Sequence, residues 1–370
     1  MSRFSDLLSP GARELSRSSP PRPRLQPDQQ SQSPLIRLDS NENPLGPSPL
    51  AINAIRSSLA NVNLYPDDDC SELRRKLAAH HNLPVEQTLV TAGSTGFLSL
   101  LCQTLLAPGL NAVTSERSFV VYSQIVRATG AQLIEAPMRE DTFDLAAILH
   151  AINAETRLIF LANPNNPTGT MLPASEVEKF LAQVPSHVVV ALDEAYYEYA
   201  AHFASLRGIV YSRSLDHVRQ GAPVVVLRTF SKVHGLAGLR VGYGFGPAEL
   251  LAYCAQMGNI YSVASVAESA ALAAMDDQNH IDSTLQLNAD QAQVLGKGLS
   301  DLDYRVVPTW ANFIYCDVGE NAQDFATRLQ KEGVVIRPLA PWGAPRCIRV
   351  SIGTAEQNKV LLEALRRINA

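Results

Sequence analysis

From Gln87 onward the chain alternates short apolar runs with helical stretches, and that alternation leaves few folds open. Thr88 to Thr91 reads as a strand, and Ser94 to Leu106 as a helix with a serine at its start. Further strands are expected at Asn111 to Thr114, Gln132 to Ala136, Arg157 to Ala162, His187 to Leu192, Val224 to Leu227 and Val241 to Phe245. Runs that are apolar on both faces and separated by helices suit a parallel sheet, because each crossover lays a helix over the sheet. The expected class is therefore α/β, with helices on both faces of a largely parallel sheet. Near residue 280 the pattern changes. A helix at Asp282 to Asp301, strands at Tyr304 to Val307 and Asn312 to Asp317, and a helix at Ala322 to Lys331 come first. Strands at Val334 to Ile336 and Cys347 to Ile352 and a helix after Thr354 complete a smaller α+β unit. The expected division is a flexible leader over 1–34, a segment packing with the small domain over 35–60, a large domain over 61–280 and a small C-terminal domain over 281–370.

Composition narrows the function classes. Residues Ser16 to Ser33 are rich in Ser, Pro, Arg and Gln, which cannot bury a core; they suit a mobile leader, or alternatively an arm on a partner subunit. The remaining length is ample for a large core, and 46% hydrophobic with 18% charged residues is ordinary for a globular enzyme. A net charge of −5 argues against nucleic acid or an anionic membrane as the main partner. No apolar run approaches the ~20 residues that cross a bilayer, and the N-terminus has no apolar signal region. Five dispersed cysteines, without a Cys-x-x-Cys, suit free thiols in a reducing cytoplasm. The histidines lack metal-ligand spacing, and Gly242-Tyr-Gly-Phe-Gly246 lacks the full dinucleotide-loop spacing, so neither a metal nor a dinucleotide is expected.

The polar motifs fall just after the expected strands, where open α/β sheets gather their ligands. Lys232 sits in Leu227-Arg-Thr-Phe-Ser-Lys-Val-His-Gly-Leu-Ala-Gly-Leu-Arg240, with Thr229, Ser231 and Arg240 close by in sequence. Hydroxyls and a guanidinium fork suit a phosphate, and an amine next to them suits covalent attachment of a phosphorylated aldehyde cofactor. Asp193, in Val188-Val-Val-Ala-Leu-Asp-Glu-Ala-Tyr196, follows a buried strand; taken alone it reads as a helix cap, and with Lys232 downstream as a functional carboxylate. Gly93, Ser94 and Thr95 lie between a strand and a helix, where backbone N–H groups make an anion site; an isolated glycine turn is the plainer reading. Asn163-Pro-Asn-Asn-Pro-Thr-Gly169 satisfies the chemistry of a turn.

Taken together, these blocks strongly resemble the fold-type I, class I/II aminotransferases, which use pyridoxal 5'-phosphate (PLP). The resemblance covers roughly residues 35–370. Within the family, Leu38-Asp-Ser-Asn-Glu-Asn-Pro-Leu-Gly-Pro-Ser-Pro49 and the block order look like the histidinol-phosphate aminotransferases. This resemblance implies a seven-stranded, mostly parallel sheet and a homodimer with a shared active site. The implied reaction is an alternating exchange between an amino donor and a 2-oxo acid. It assigns Lys232 as the attachment point, Asp193 to the ring nitrogen, and Tyr196 with Asn166 to the cofactor's 3′-oxygen. Phe119 would stack on the ring, and Tyr65 would reach the partner subunit's phosphate. Arg349, Arg337 and Asn43 would bind substrate. The two arginines could instead be surface ion-pair residues, and Tyr65 an aromatic ahead of a turn. The chain departs from the family's usual residues at Phe119 (commonly tyrosine), at Thr95-Gly96 (commonly Asp-Glu), and at Ser262 and Ala264 (commonly asparagines). These departures bear on the distal substrate pocket and keep an aromatic or broad-specificity aminotransferase in view, ahead of a PLP-dependent decarboxylase of phosphorylated amino acids.

Overall fold

Seven strands form one sheet in the order Thr88–Thr91, Gly242–Phe245, Val224–Thr229, Val189–Asp193, Thr156–Ala162, Asn111–Ser115 and Gln132–Ala136. The computed structural model describes residues 7–18 and 35–369. Gly242–Phe245 runs antiparallel to both its neighbours, and every other pairing is parallel. Val224–Thr229 is buried along its whole length and Thr156–Ala162 and Val189–Asp193 at all but one position each, as apolar runs require when helices cover both faces. Gly244 lets the helix Ser94–Leu105 lie close to the sheet. A methyl there would come within 2.6 Å of the Phe97 ring and 2.8 Å of the Val226 carbonyl oxygen.

The smaller unit is a four-stranded antiparallel sheet ordered Arg305–Val307, Phe313–Asp317, Cys347–Ser351 and Arg337–Pro338. The long helix Gln278–Ser300 and the helices Ala322–Lys331 and Ala355–Asn369 accompany it. The long helix starts ahead of the expected Asp282 because Asp277 caps it, its side chain accepting from the His280 N–H at 3.3 Å. The run expected as one strand at 334–336 divides. Val334–Val335 pairs in parallel with Ile36–Arg37, while Arg337–Pro338 forms the edge of the four-stranded sheet. Asp141 ties the two units together, accepting from Arg117 at 2.8 Å and from Arg305 at 2.7 Å.

The segment 35–60 does not pack as one piece with the small domain. Leu38 enters the small-domain core, whereas the helix Pro49–Ser58 lies on the helix Ser265–Ala274 and places Ala51 in the large core. Buried Ala267, Ala270, Ala271 and Ala274 make that close helix contact possible. A second correction concerns the leader. Pro10–Ser18 is a helix packed on the helix Val121–Ala128, and Gly11 sits so close that a methyl would overlap the Ala128 carbonyl. The rest of the expected leader, 1–6 and 19–34, lies outside the described residues.

Gly235 is where the N-terminal segment meets the loop that carries Lys232. Its φ is +70°, a methyl would overlap the Gly46 carbonyl oxygen, and Ser48 N–H donates to the His234 carbonyl at 3.2 Å. Gly235→Ala is predicted to lower unfolding free energy by about 1–3 kcal/mol, from left-handed strain plus overlap. Urea unfolding measures this, and an unchanged midpoint would remove the close approach from the account.

Candidate active site

All the parallel strands end on one edge of the sheet, and the polar motifs meet there. Asp193 is the last residue of Val189–Asp193, and Lys232 follows Val224–Thr229 by three positions. Asn166 lies in the turn after Thr156–Ala162, and Gly93 precedes the helix that follows Thr88–Thr91.

Asp193 is 5% exposed, and both its oxygens are held. Oδ2 accepts from the Tyr122 hydroxyl at 2.8 Å, and Oδ1 accepts from the Ala195 N–H at 3.2 Å. Burial pushes its carboxyl above the usual range, against the pull of those two hydrogen bonds. Phe119, the expected stacking ring, meets Tyr122 edge-on at 5.6 Å. The expected 3′-oxygen pair is also together. The Tyr196 hydroxyl accepts from the Asn166 amide at 3.4 Å and from the Asn41 amide at 2.9 Å.

Lys232 donates to the Asn41 carbonyl at 3.0 Å, with Ser40 O at 3.4 Å, and its Nζ lies 5.4 Å from the Tyr196 ring centroid. Burial lowers its pKa to about 7; Arg349 adds to that and Glu42 opposes it. The amine is therefore a usable base and nucleophile near neutrality. Arg349 is 6% exposed and donates to Asn166 Oδ1 at 2.6 Å and to the Asp39 carbonyl at 2.9 Å. Its own pKa falls to about 10, first through burial and further through Arg337, which stands opposite it across the strand pair; Tyr196 and Asp39 resist. Arg337 is held by the Asp39 carboxylate at 3.1 Å, and Arg37 reaches the same oxygen at 3.2 Å.

A chain of donors lies beside Lys232. Arg240 Nη1 donates to Ser231 Oγ at 3.2 Å, and Thr229 Oγ1 lies 3.0 Å from Ser231 Oγ. The Arg240 guanidinium also rests where a side chain on Gly93 would sit, so it faces the N-terminus of the helix Ser94–Leu105. Two of the expected residues lie outside this hydrogen-bonded cluster within the single subunit. Asn43 is fully engaged elsewhere, its amide donating to Val233 O at 2.8 Å and Thr284 Oγ1 at 3.1 Å while Oδ1 accepts from Leu45 N–H. It fastens the N-terminal segment, and Asn41 occupies the position among the site residues. Tyr65 is 82% exposed and stacks on Tyr261 at 4.6 Å.

The family model "Aminotransferase class I and II" matches residues 33–365. The chain belongs to the class I and II aminotransferases. This aminotransferase is 40% identical over 370 residues to histidinol-phosphate aminotransferase 2 of Pseudomonas fluorescens, covering 99% of this chain and 98% of that one. It is also 40% identical over 340 residues to histidinol-phosphate aminotransferase 1 of Thiobacillus denitrificans, covering 92% and 87%. A crystal structure of histidinol-phosphate aminotransferase from Sinorhizobium meliloti, in complex with pyridoxal-5'-phosphate, matches with TM-score 0.83 at 26% identity, covering 100% and 99%.

The aminotransferase cofactor is PLP, and the donor set fits it. Ser231, Thr229, Arg240 and the helix start at Gly93, Ser94 and Thr95 could hold a phosphate; Asp193 could hold a protonated ring nitrogen; Tyr196 and Asn166 could hold a phenolate oxygen. Two further residues belong to the site and were not singled out from sequence. Tyr122 lies three residues after Phe119, in Arg117-Ser-Phe-Val-Val-Tyr122, and Asn41 lies inside the Leu38–Pro49 block with φ +56°, a conformation asparagine tolerates. Asking what would satisfy a buried aspartate points toward the second aromatic of its block. Nothing in sequence separates Asn41 from Asn43.

Lys232 makes a pH prediction for the cofactor-free protein. Its amine titrates near 7 when folded and near 10.5 when unfolded, so between those values the unfolded chain holds the extra proton. Its contribution therefore makes stability rise with pH across that window, by at most about 1.4 kcal/mol per pH unit. Urea unfolding from pH 6.5 to 9 should show a steeper rise in the wild type than in Lys232→Met. Equal slopes would mean that Lys232 is not destabilised by burial.

Proposed function

We propose that this aminotransferase transfers the amino group of L-histidinol phosphate to 2-oxoglutarate, a step of histidine biosynthesis, in the order donor in, keto product out, acceptor in. The observation that carries this reading is the pair Arg337 and Arg349 facing each other across adjacent strands, beside an amine whose pKa is lowered to about 7. Relatives at 40% identity bearing the histidinol-phosphate aminotransferase name support it. When bound, PLP supplies an aldehyde that joins an amine and a ring that withdraws electrons from it. Lys232 would hold that aldehyde until a substrate amine takes its place, and its freed amine would then take the proton from the substrate Cα, a role its lowered basicity suits. Asp193 holds a proton at the ring nitrogen, while Tyr196 and Asn166 orient the 3′-oxygen. Arg349 binds a substrate anion through its planar fork, and Arg337 binds the distal phosphate once Asp39 releases it.

The working unit in this reading is a homodimer in the cytoplasm. Exposed Leu59, Val62, Leu64, Tyr65, Ile260 and Tyr261 support a subunit interface, where Tyr65 would reach the partner subunit's phosphate. Among the described residues no helix is long and apolar enough to cross a membrane, and the five cysteines are free and buried.

The reading is tested by titrating the PLP form with L-histidinol phosphate, L-phenylalanine, L-tyrosine and L-glutamate, following the visible spectrum of the half-reaction. L-histidinol phosphate is expected to convert the enzyme at concentrations about ten- to a hundredfold below the aromatics, the range one charge-assisted phosphate contact supplies. Arg337→Ala should erase that margin, and Lys232→Ala should abolish turnover. If the aromatic amino acids convert the wild type at lower concentration, a broad-specificity aromatic aminotransferase replaces this assignment.

A further inference from the structure

We propose that Tyr122 is a positioning residue for the reaction, acting through Asp193 by fixing the carboxylate that faces the ring nitrogen of PLP. The proposal rests on the assignment of Asp193 to that nitrogen and adds a second residue to it.

Tyr122 is completely buried, and its hydroxyl donates to Asp193 Oδ2 at 2.8 Å. Its ring lies flat on Phe160, centroids 4.5 Å apart with 7° between planes, and meets Phe119 edge-on at 5.6 Å and 89°. Two aromatic contacts therefore fix the direction of the O–H before any ligand arrives. An ionised carboxylate only accepts hydrogen bonds, so a phenol at this distance must donate. With the Ala195 N–H on Oδ1 at 3.2 Å, one donor occupies each oxygen, and that defines the plane of the carboxylate. A single donor would leave the group free to swing about its terminal torsion, which is soft and two-fold. Lone pairs remain on both oxygens for a pyridinium N–H.

The charge argument runs the same way. Burial works against an ionised Asp193, and Glu194 adds to that effect. Among the described side chains, the Tyr122 hydroxyl is the one that donates to the Asp193 carboxylate. Without it, burial has only the backbone donor to overcome, and a proton shared with the ring nitrogen moves toward the acid. The ring then withdraws electrons less effectively. Phe119 and Tyr122 belong to one short stretch, with Tyr122 in the first turn of Val121–Ala128. The stacking ring and the clamp on the acid are thus placed by the same backbone.

The conservative variant is Tyr122→Phe, which keeps both ring contacts and removes one hydroxyl. The holoenzyme is reconstituted with PLP labelled with 15N in the ring, and the ring-nitrogen NMR shift is followed from pH 6 to 9 for wild type, Tyr122→Phe and Asp193→Ala. The wild type is expected at the protonated position, and Asp193→Ala at the neutral one. Tyr122→Phe should lie between them, or titrate at least one pH unit lower than wild type. In steady state Tyr122→Phe should lower kcat about tenfold with KM within about twofold, the size of one hydrogen bond to a charged group. Added to Asp193→Ala, it should cost less than about twofold more. A Tyr122→Phe shift identical to wild type, with Asp193→Ala displaced, would overturn the role of Tyr122 alone. An unmoved Asp193→Ala shift would remove the assignment of Asp193 and the proposal with it. A full tenfold loss in the Asp193→Ala background would show Tyr122 acting by another route.

Discussion

The backbone of Asn41 is the point on which the site closes. Its carbonyl accepts from Lys232 at 3.0 Å and from Asn312 at 3.0 Å, its N–H donates to Ser351 at 2.7 Å, and its side chain donates to Tyr196 at 2.9 Å. One residue of the N-terminal segment therefore touches the large domain through Lys232 and Tyr196 and the small domain through Asn312 and Ser351. Asp39, two residues earlier, holds Arg349 and Arg337 in the same manner. The amine, the phenol and the two arginines come from sequence positions up to 310 residues away from this short stretch, the farthest being Arg349 on Asp39.

Burial acts in opposite directions on the ionisable groups gathered there, and the arrangement uses both. It lowers Lys232 to about 7 and Arg349 to about 10, and it raises Asp193. Lysine gains basicity of the useful strength from this, while arginine stays charged because its starting value is so high. Aspartate needs help, and donors on both its oxygens provide it.

Much of this was legible in the chain. The alternation of apolar runs with helical stretches located all seven strands of the large sheet, most strongly where residues are buried on both faces, as in Val224–Thr229. Asp193 ends one of those strands, and Asn166, Tyr196, Ser231 and Lys232 follow closely, while the resemblance to the family supplied their expected roles. What escaped depends on contacts between distant segments. The pairing of Ile36–Arg37 with Val334–Val335 leaves no periodic trace in either two-residue strand. Tyr122 lies 71 positions from Asp193, and its role appears only when Val121–Ala128 folds back over the sheet. Asn41 and Asn43 share one motif, and backbone conformation alone sends the first inward and the second to Val233. The helix Pro10–Ser18 was hidden by the polar composition of the leader around it; a glycine fitted against Ala128 locates it.

The Asp39 carboxylate gives the anion end of the cleft an internal competitor. In the proposed assignment, a negatively charged group that comes to Arg337 competes with an ion pair already formed at 3.1 Å, one that also engages Arg37. Its affinity is then the difference between two attractions, and a doubly charged group has an advantage over a singly charged one of the same shape. In that assignment, selection by charge number is built into the resting state, before size or hydrogen-bond pattern enters.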